Sequence, residues 1–369
     1  MARADVVVIG GGIAGLTAAW HLARRGAKPV LLEQEPLLAS HASGRNAAIF
    51  RQVDGDLAGA RLAARTLELL PALASETPLL AVTGAIYCGD GPRLAALAAL
   101  AAQGGIAAER LDAAGLARLV PSLAGGEATA GLFFPGDGVL DVHALTGSLA
   151  RQAAAAGASL RTGSGVAALL VRDGVVTGVR LESGETLEAE RVVVAAGAWS
   201  ARLGAGAGLP LPIEPRRRHL AMLVAEGAAP LRGGAPEPVV WRLDEEVYFR
   251  PEPGGILASP CDGEPWEPGL PPTSPDALTQ LAQRLPRLAP GLSQLSVRSA
   301  WACLRSFAPD GGLVAGNDPR VTGLSWIAGL GGRGMSCGLG LGEVLAAVAL
   351  GASHDLAGAL SPARFLAAR

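Results

Sequence analysis

The sequence predicts an α/β fold in which a Rossmann-like nucleotide-binding domain is interrupted by a second domain. Three observations predict this fold: a buried strand that runs into a glycine loop near the N-terminus, a run of short strands with tight turns near the middle, and a second strand followed by a glycine loop near the C-terminus. Strands that alternate with helices indicate a parallel sheet covered on both faces. We assign residues 1–78, 136–212 and 300–369 to the nucleotide-binding domain, and residues 79–135 and 213–299 to the second domain.

The first element is the strand Asp5–Ile9, which leads into the loop Gly10-Gly11-Gly12-Ile13-Ala14-Gly15. In such a loop the first glycine makes the tight turn, the second lets a pyrophosphate approach the backbone, and the third lets the helix pack on the strand. The helix N-terminus adds N–H donors and a partial positive charge. The loop therefore predicts that Gly10, Gly12, Ile13, Ala14 and Gly15 bind a dinucleotide.

The next segment completes this unit. A helix over Leu16–Arg25 ends at Gly26, and Pro29–Leu32 reads as a second buried strand. Glu33 follows that strand eighteen positions after Gly15, close to the spacing of an acid that hydrogen-bonds an adenosine ribose diol. A carboxylate at this position also repels a 2′-phosphate.

The remaining elements follow from hydrophobic periodicity and turn residues. Helices are predicted over residues 57–75 (stopped by Pro71), 93–103, 112–119, 142–156 and 336–350. Strands are predicted over 81–87, 159–161, 166–172, 175–181, 186–188, 191–195 and 324–328, with a loop at 136–138 and a glycine loop at 329–334. Residues 213–299 are richer in proline and aromatic residues, which indicates a second sheet.

Composition excludes several classes of function. The 369 residues carry a net charge of −2, so a broad basic surface for nucleic acid or anionic lipid is not expected. Half of the residues are hydrophobic, but no unbroken apolar stretch is long enough to span a membrane. The first strand begins within five residues of Met1, which leaves no room for a signal peptide, and we expect a cytoplasmic location. The four cysteines and five histidines show no metal-ligand spacing, so we expect no metal site.

The order of these pieces resembles the FAD-dependent amino-acid and amine oxidoreductases of the D-amino-acid oxidase superfamily. The matching segments are residues 6–35, His41–Ala48, Val192–Ser200 and Trp326–Glu343. The resemblance implies a FAD-binding domain of the glutathione-reductase type with an inserted mixed β-sheet and helices that bind substrate. It also implies FAD as the cofactor, since a protein that binds only NAD would not need the C-terminal glycine loop and helix. Beyond the first loop, it assigns to FAD binding the residues Glu33, Gln34, Ser43, Gly44, Arg45, Asn46, Ala47, Ala48, Val166, Ala196, Gly197, Trp199, Arg305, Gly331, Gly332, Arg333, Gly334 and Met335.

Within this superfamily the chain is most similar to the bacterial D-arginine dehydrogenase or D-amino-acid dehydrogenase type. The segments Glu214–Met222, Arg242–Pro260 and Ser299–Gly316 carry that similarity, which assigns a substrate-carboxylate clamp to Arg217, Tyr248 and Arg305. The chemistry suits these residue types, because a guanidinium grips a planar carboxylate through two parallel hydrogen bonds. Arg217 is part of a basic triplet, and any one of its three arginines could serve.

The predicted substrate pocket departs from that type. It comprises Arg51, Asp54, Gly84, Trp241 and Gly332, and Gly84 stands where the similar enzymes have a carboxylate that recognises a substrate guanidinium. Arg51 could equally favour an acidic side chain, and Trp241 could line an apolar pocket. We therefore expect a substrate that is not strongly cationic. A covalent flavin link through Cys303 is an open but less favoured alternative to ordinary packing of that thiol.

The predicted reaction is oxidative deamination of a small amino acid, a D-amino acid in our hypothesis, to the 2-oxo acid and ammonia. Hydride passes from Cα to flavin N5, and the electron acceptor is oxygen, a quinone or another molecule. One alternative is a glycine or sarcosine-type amine oxidase that produces hydrogen peroxide. An alternative of another class is a flavin-binding module without catalysis.

Overall fold

The computed structural model describes residues 3–53, 55–74, 77–89, 91–225 and 237–366. Within them the strands are β1 Arg3–Ile9, β2 Pro29–Leu32, β3 Ile49–Phe50, β4 Leu80–Ala81, β5 Ala85–Cys88, β6 Glu109–Asp112, β7 Ala130–Phe134, β8 Gly138–Leu140, β9 Ser159–Arg161, β10 Val166–Arg172, β11 Val175–Leu181, β12 Thr186–Val194, β13 Glu214–Ala225, β14 Val239–Arg242, β15 Val247–Glu252, β16 Gly255–Ser259, β17 Glu264–Pro265, β18 Leu295–Phe307, β19 Val314–Asn317 and β20 Leu324–Ala328. The α-helices are α1 Ile13–Arg24, α2 Leu57–Leu73, α3 Pro92–Gln103, α4 Ala113–Leu119, α5 Val142–Ala155, α6 Ser200–Gly206, α7 Pro275–Leu288, α8 Gly334–Ala349 and α9 Ala357–Leu360.

The first sheet is the nucleotide-binding sheet. Its strand order is β10-β11-β12-β1-β2-β9, with β20 on the C-terminal half of β12 and β19 on β20. The pairs among β9, β2, β1, β12 and β20 are parallel, whereas β10 and β11 form an antiparallel hairpin that ends on β12. The α/β fold class predicted from the sequence is confirmed.

Two predicted strands are one element in the structure. The segments predicted at 186–188 and 191–195 form the single strand β12. Its first residues pair with β11 and its last residues with β20, so one long strand supports two neighbours on the same edge. No turn residue separates the two halves, and the sequence between them continues as strand.

Helix boundaries also differ from the prediction. Pro71 does not stop α2, which continues to Leu73. A proline removes one internal hydrogen bond, and near the end of a helix this loss does not terminate the element at once. Residue 75, the predicted end, lies outside the described residues. At the C-terminal glycine loop, α8 begins at Gly334, two residues before the predicted start.

The second sheet has the order β17-β13-β16-β15-β14-β5-β7-β6, with β18 on the other edge of β13. The strand predicted at 81–87 is divided here, because Gly84 adopts a φ of +78° between β4 and β5. β18 pairs with β13 from Leu295 to Phe307 and so crosses residue 300, where the sequence analysis placed a change of domain. The strand residues up to Phe307 therefore belong to the second sheet.

The helices α1, α2, α5 and α8 share one large core with the first sheet. Glycines on α8 bring α1 and α8 close together: a Cβ at Gly342 would lie 2.6 Å from Thr17 Oγ1, and one at Gly338 would lie 2.9 Å from Ile13 Cγ1. This contact fixes the N-termini of the two helices relative to each other. Among the described residues, no helix has the length and apolar character needed to cross a membrane.

Candidate cofactor and substrate site

A cavity of about 590 Å³ is lined by residues of both sheets. The predicted cofactor residues that line it are Gly10, Gly12, Ile13, Ala14, Glu33, Gln34, Ser43, Asn46, Ala47, Ala48, Val166, Ala196, Gly197, Trp199, Arg305, Gly331, Gly332, Gly334 and Met335. The second sheet contributes residues from β13, β14, β15 and β18 to the same wall. One cavity therefore joins the predicted cofactor positions to the predicted substrate positions.

The N-terminal glycine loop has little room for side chains. Gly10 has a φ of +108°, and a Cβ there would lie 2.5 Å from Ala195 O. A Cβ at Gly15 would lie 1.8 Å from Gly10 O, so only glycine lets α1 begin this close to the loop. The start of α1 has no side-chain cap at Gly12, while the Ile13 N–H donates to Ser43 Oγ at 2.9 Å. The loop thus exposes backbone and a helix N-terminus to the cavity.

Glu33 is held by the backbone around it. Its Oε2 accepts from the Gly11 N–H at 2.6 Å and its Oε1 accepts from the Glu35 N–H at 2.9 Å. These bonds tie the end of β2 to the glycine loop. The carboxylate is buried and borders the cavity next to the loop.

A second helix N-terminus borders the same cavity. Gly331 and Gly332 have φ values of +54° and +93°, which the loop before α8 requires. α8 begins without a side-chain cap, and its first residues, Gly334 and Met335, line the cavity. Its partial positive charge is therefore directed at whatever occupies that space.

Four predicted cofactor residues lie outside the cavity wall. Gly15 packs against Gly10 O, and a Cβ at Gly44 would lie 2.4 Å from Ala39 O. The Arg45 side chain donates to Ala302 O at 3.5 Å, and Arg333 donates to Gly311 O. These residues shape the loops around the cavity rather than its surface.

Arg305 lies on the wall that β18 contributes and is buried. Its Nη1 donates to Cys303 Sγ at 2.8 Å and to Leu304 O at 3.0 Å, and its Nη2 donates to Arg45 O at 3.3 Å. All of these acceptors are uncharged. Among the described residues the guanidinium meets no carboxylate, so its charge is available to an anionic ligand.

Tyr248 lines the cavity from β15 and packs against Trp241, with ring centroids 4.8 Å apart. Burial raises the pKa of its hydroxyl to about 12, against the opposing effect of the Arg305 and Arg218 charges. The hydroxyl therefore stays protonated at neutral pH and can donate a hydrogen bond. Those two arginines lie close to it.

Arg217 lies on the other face of its strand. In the antiparallel pairing of β13 with β18, Arg218 is opposite Cys303, so Arg218 shares the cavity face with Cys303 and Arg305. Arg217 forms an ion pair with Glu264, donates to Pro272 O at 3.2 Å and stacks over the Trp266 ring. These partners lie in residues 260–274, a segment between β16 and α7 that we call the strap. The structure thus places Arg217, the predicted clamp residue, outside the cavity and Arg218 inside it.

Some of the other predicted pocket residues line the cavity and others do not. Arg51 is buried, lines the cavity and lies over the Trp241 ring, 4.4 Å from its centroid. Gly84 does not line the cavity; a Cβ there would lie 2.3 Å from the Phe133 ring, so this glycine serves the turn before β5. Asp54 lies outside the described residues.

Asp137 is a residue that the sequence analysis named only as part of a loop. It is fully buried and accepts from the Gln52 backbone N–H at 3.0 Å, from Gln52 Nε2 at 3.1 Å and from the Tyr87 hydroxyl at 3.1 Å. Burial raises its pKa to about 6. Because Gln52 follows Arg51, this carboxyl group anchors the segment that presents Arg51 to the cavity. An acid between two glycines was the only signal in the sequence.

Further residues complete the wall: Arg218 from β13, and Gly269 and Leu270 from the strap. The Cys303 thiol also borders the cavity, but it donates to Arg45 O at 2.9 Å and accepts from Arg305, so its environment is already satisfied. No group of three or more His, Cys, Asp or Glu side chains in the described ranges is arranged to hold a metal ion.

The residues present fit FAD. Two helix N-termini without side-chain caps, those of α1 and α8, face one cavity, and Glu33 stands at the end of β2 beside the first of them. Helix N-termini favour anionic groups, which suits a pyrophosphate at α1 and a reduced flavin ring at α8. The close packing of α1 against α8 holds these two helix N-termini next to each other.

Comparison with known proteins agrees with this geometry. Residues 5–348 match the family model described as "DAO: FAD dependent oxidoreductase". A D-amino acid dehydrogenase of Cereibacter sphaeroides is 34% identical over 66% of this chain and 54% of its own length. A 4-methylaminobutanoate oxidase (formaldehyde-forming) of Paenarthrobacter nicotinovorans is 26% identical over 92% of this chain and 43% of its own length. The pyruvate dehydrogenase phosphatase regulatory subunit of Mus musculus is 28% identical over 94% of this chain and 41% of its own length, and the chain thus spans about half the length or less of these relatives.

Solved structures match over the full length. Glycine oxidase from Geobacillus kaustophilus is 26% identical, with a TM-score of 0.83 and coverage of 100% of both chains. L-Proline dehydrogenase from P. horikoshii has a TM-score of 0.89 at 24% identity, covers 99% of this chain and 98% of its own, and shows the shared fold. The family match spans most of the chain, and the chain belongs to the DAO family of FAD-dependent oxidoreductases.

Proposed function

We propose that this chain catalyses the FAD-dependent oxidative deamination of a small amino acid, a D-amino acid in our hypothesis, to the 2-oxo acid and ammonia. The single observation that carries this proposal is the buried Arg305 guanidinium, which borders the cofactor cavity without a carboxylate partner in the described chain. An unneutralised buried cation is costly unless a ligand supplies the anion. The match to a D-amino acid dehydrogenase supports the choice of substrate.

Arg305 and Tyr248 are the residues that hold the substrate carboxylate in this proposal. A guanidinium and a protonated phenol together offer three donors to its two oxygens. With the carboxylate fixed at this wall, Cα is positioned toward the cofactor side of the cavity. Positioning of this kind lowers the barrier by converting an encounter into an ordered complex.

FAD, held by the glycine loop before α1, by Glu33 and by the N-terminus of α8, would supply the two-electron oxidant that takes up the hydride from Cα. The substrate nitrogen must be uncharged before its lone pair can assist that transfer, so the rate should rise with pH until the bound amine is neutral. The resulting imino acid reacts with water to give the 2-oxo acid and ammonia. In this scheme the protein orients the substrate and excludes water, and no described side chain is required as a base.

A glycine or sarcosine-type amine oxidase is the second candidate. The match to glycine oxidase over the full length of both chains favours it. The same two residues would hold the carboxylate of an N-methyl amino acid, and the electrons would pass to oxygen and form hydrogen peroxide. Consumption of oxygen during turnover separates this candidate from a dehydrogenase.

The test is anaerobic loss of flavin absorbance when the FAD-loaded protein meets D-amino acids, L-amino acids and N-methylated amino acids in turn. We expect reduction by at least one of these classes. Arg305→Leu should slow it by about 100-fold, the effect of losing two hydrogen bonds to a charged group, while it retains FAD. The control is Arg216→Leu, because Arg216 is exposed and pairs with Glu214 on its own strand.

A yellow protein that no compound reduces would overturn the proposal and favour a flavin-binding module without catalysis. Reduction that is equally fast in Arg305→Leu would keep an enzymatic function but remove Arg305 from the clamp.

A further inference from the structure

Three guanidinium groups surround one part of the cavity. Burial raises the pKa of the Tyr248 hydroxyl, and the positive charges of Arg305 and Arg218 oppose that rise. Burial likewise raises the pKa of the Cys261 thiol, and the charges of Arg218 and Arg51 oppose it, so these guanidinium groups lie near the two side chains. All three arginines line the cavity. We call Arg51, Arg218 and Arg305 the arginine cluster.

Arg218 differs from the neighbouring arginines in making no ion pair with the described chain. Its positive charge acts on the Asp262 carboxylate in the strap, but that carboxylate is already hydrogen-bonded to the His219 backbone N–H and imidazole. The Arg218 guanidinium makes no hydrogen bond or ion pair with the described chain, and its Nε is buried without a partner. By contrast, the adjacent Arg217 pairs with Glu264. On the same sheet, Arg242 pairs with Glu127 and Asp244, and Arg250 pairs with Glu252. The second sheet thus neutralises these buried arginines on its own, but not Arg218.

The described part of the cavity wall offers no carboxylate to Arg218 or Arg305. Of the described residues that line it, only Glu33 and Glu182 are acidic. Glu33 is engaged by the Gly11 and Glu35 N–H groups beside the nucleotide loop, and Glu182 lies beside Gly165 at the β10–β11 hairpin. Both belong to the nucleotide-binding sheet, away from Tyr248.

One substrate carboxylate on Arg305 and Tyr248 would leave the positive charge of Arg218 unpaired beside it. Like charges that are partly withdrawn from water repel strongly, and a second anion relieves that repulsion. Arg51, stacked on Trp241, adds a further guanidinium at the same wall. The cluster is therefore suited to a ligand with two acidic groups.

We propose that the substrate is an amino or imino acid with a second carboxylate, and that Arg218 is the residue that selects it. This inference rests on the proposed oxidation of an amino acid at this site. The second carboxylate binds Arg218, with Arg51 as a further contact, while the first remains on Arg305 and Tyr248.

The first experiment measures binding without turnover. The FAD-loaded protein is titrated in a calorimeter with unreactive dicarboxylates (malonate, succinate and glutarate) and with the monocarboxylates acetate, propionate and butyrate. We expect at least one dicarboxylate to bind about 10-fold or more tightly than the monocarboxylate of matched length. Equal affinity for both classes would overturn the inference.

The second experiment removes the selecting charge. Arg218→Leu should abolish the preference for dicarboxylates but leave monocarboxylate binding within about threefold of the unmodified protein. Arg216→Leu makes the same change at an exposed neighbour and should preserve the preference. A loss of FAD in Arg218→Leu, with the dicarboxylate preference intact, would assign this arginine to the cofactor and overturn the inference.

Flavin reduction then separates this inference from the proposed function. Faster reduction by aspartate, glutamate or iminodiacetate than by alanine or glycine supports both. Reduction by monocarboxylic amino acids alone removes the second-carboxylate site but keeps the enzyme. If no amino or imino acid reduces the flavin, the proposed function fails, and dicarboxylate binding alone would describe an anion site without that chemistry.

Discussion

The nucleotide end and the substrate end of the cavity are built by different kinds of chain geometry. At the nucleotide end, Gly10, Gly12 and Gly15 act within one strand–loop–helix unit, and their spacing alone determines which atoms approach each other. At the substrate end, the side chain that faces the cavity depends on how β13 pairs with β18, whose paired residues lie 70 to 93 positions apart. Spacing within one local unit can be interpreted from the sequence alone, whereas the register between two distant strands requires the fold.

A change in the glycine loop at the nucleotide end should lower the free energy of unfolding the most. In Gly15→Ala the new Cβ would lie 1.8 Å from Gly10 O, a backbone atom that cannot move aside easily. We expect the free energy of unfolding to fall by about 3 kcal/mol, with loss of bound FAD. Thermal unfolding and flavin absorbance per mole of protein measure both effects.

Gly206→Ala is the matched control, because a Cβ at that helical position meets no atom within 4 Å. It should change the unfolding free energy little. Equal behaviour of the two variants would show that the close approach at Gly15 does not constrain the loop.

A second prediction concerns Asp137, which anchors the Arg51 segment of the substrate end through Gln52. Burial raises its pKa to about 6, above the value of about 3.9 in an unfolded chain, so the folded protein binds this proton more tightly. The stability contributed by the protonated form is therefore lost as pH rises from about 4 to about 6. Asp137→Asn cannot titrate, and its unfolding free energy relative to the unmodified protein should rise by about 2 kcal/mol across that interval.

Urea unfolding at a series of pH values measures this difference. Parallel stability curves for the two proteins would show that Asp137 is ionised normally in the fold. A simultaneous change in substrate KM would indicate that Gln52 also holds Arg51 in place.

A change within β13 should cost the least stability. Arg217→Gln removes the ion pair with Glu264 and the stacking on Trp266, and we expect a loss of about 1 kcal/mol or less because Glu264 is largely exposed. The strap should become more sensitive to limited proteolysis, while flavin reduction by substrate changes less than twofold. A loss of reduction rate as large as that in Arg305→Leu would return Arg217 to the clamp that its sequence context suggested.

The fold was accessible from sequence because its signals are local. The α1 glycine loop, the hairpin that opens at Asp173-Gly174 and the strand–loop–helix unit at the C-terminus each carry their own pattern. The family resemblance then predicted FAD as the cofactor, and the match to a family of FAD-dependent oxidoreductases agrees with that prediction.

The candidate site was less accessible because it depends on non-local contacts. In a triplet of identical residues only the partner strand reveals which member faces inward, and Arg218 opposite Cys303 answers that question. Gly84 is glycine because its φ is positive and a Cβ there would clash with the Phe133 ring, and a comparison of side chains could not reveal this. Asp137 is important through burial, which no spacing rule predicts.

The alternation along β13 has a consequence for sequence change. Arg217 holds the strap on one side of the sheet, and Arg218 borders the cavity on the other. Insertion or deletion of a single residue just before this triplet would shift the strand by one position, which would place Arg217 on the cavity face and Arg218 on the strap face. We therefore expect length changes in this strand to be tolerated only in pairs.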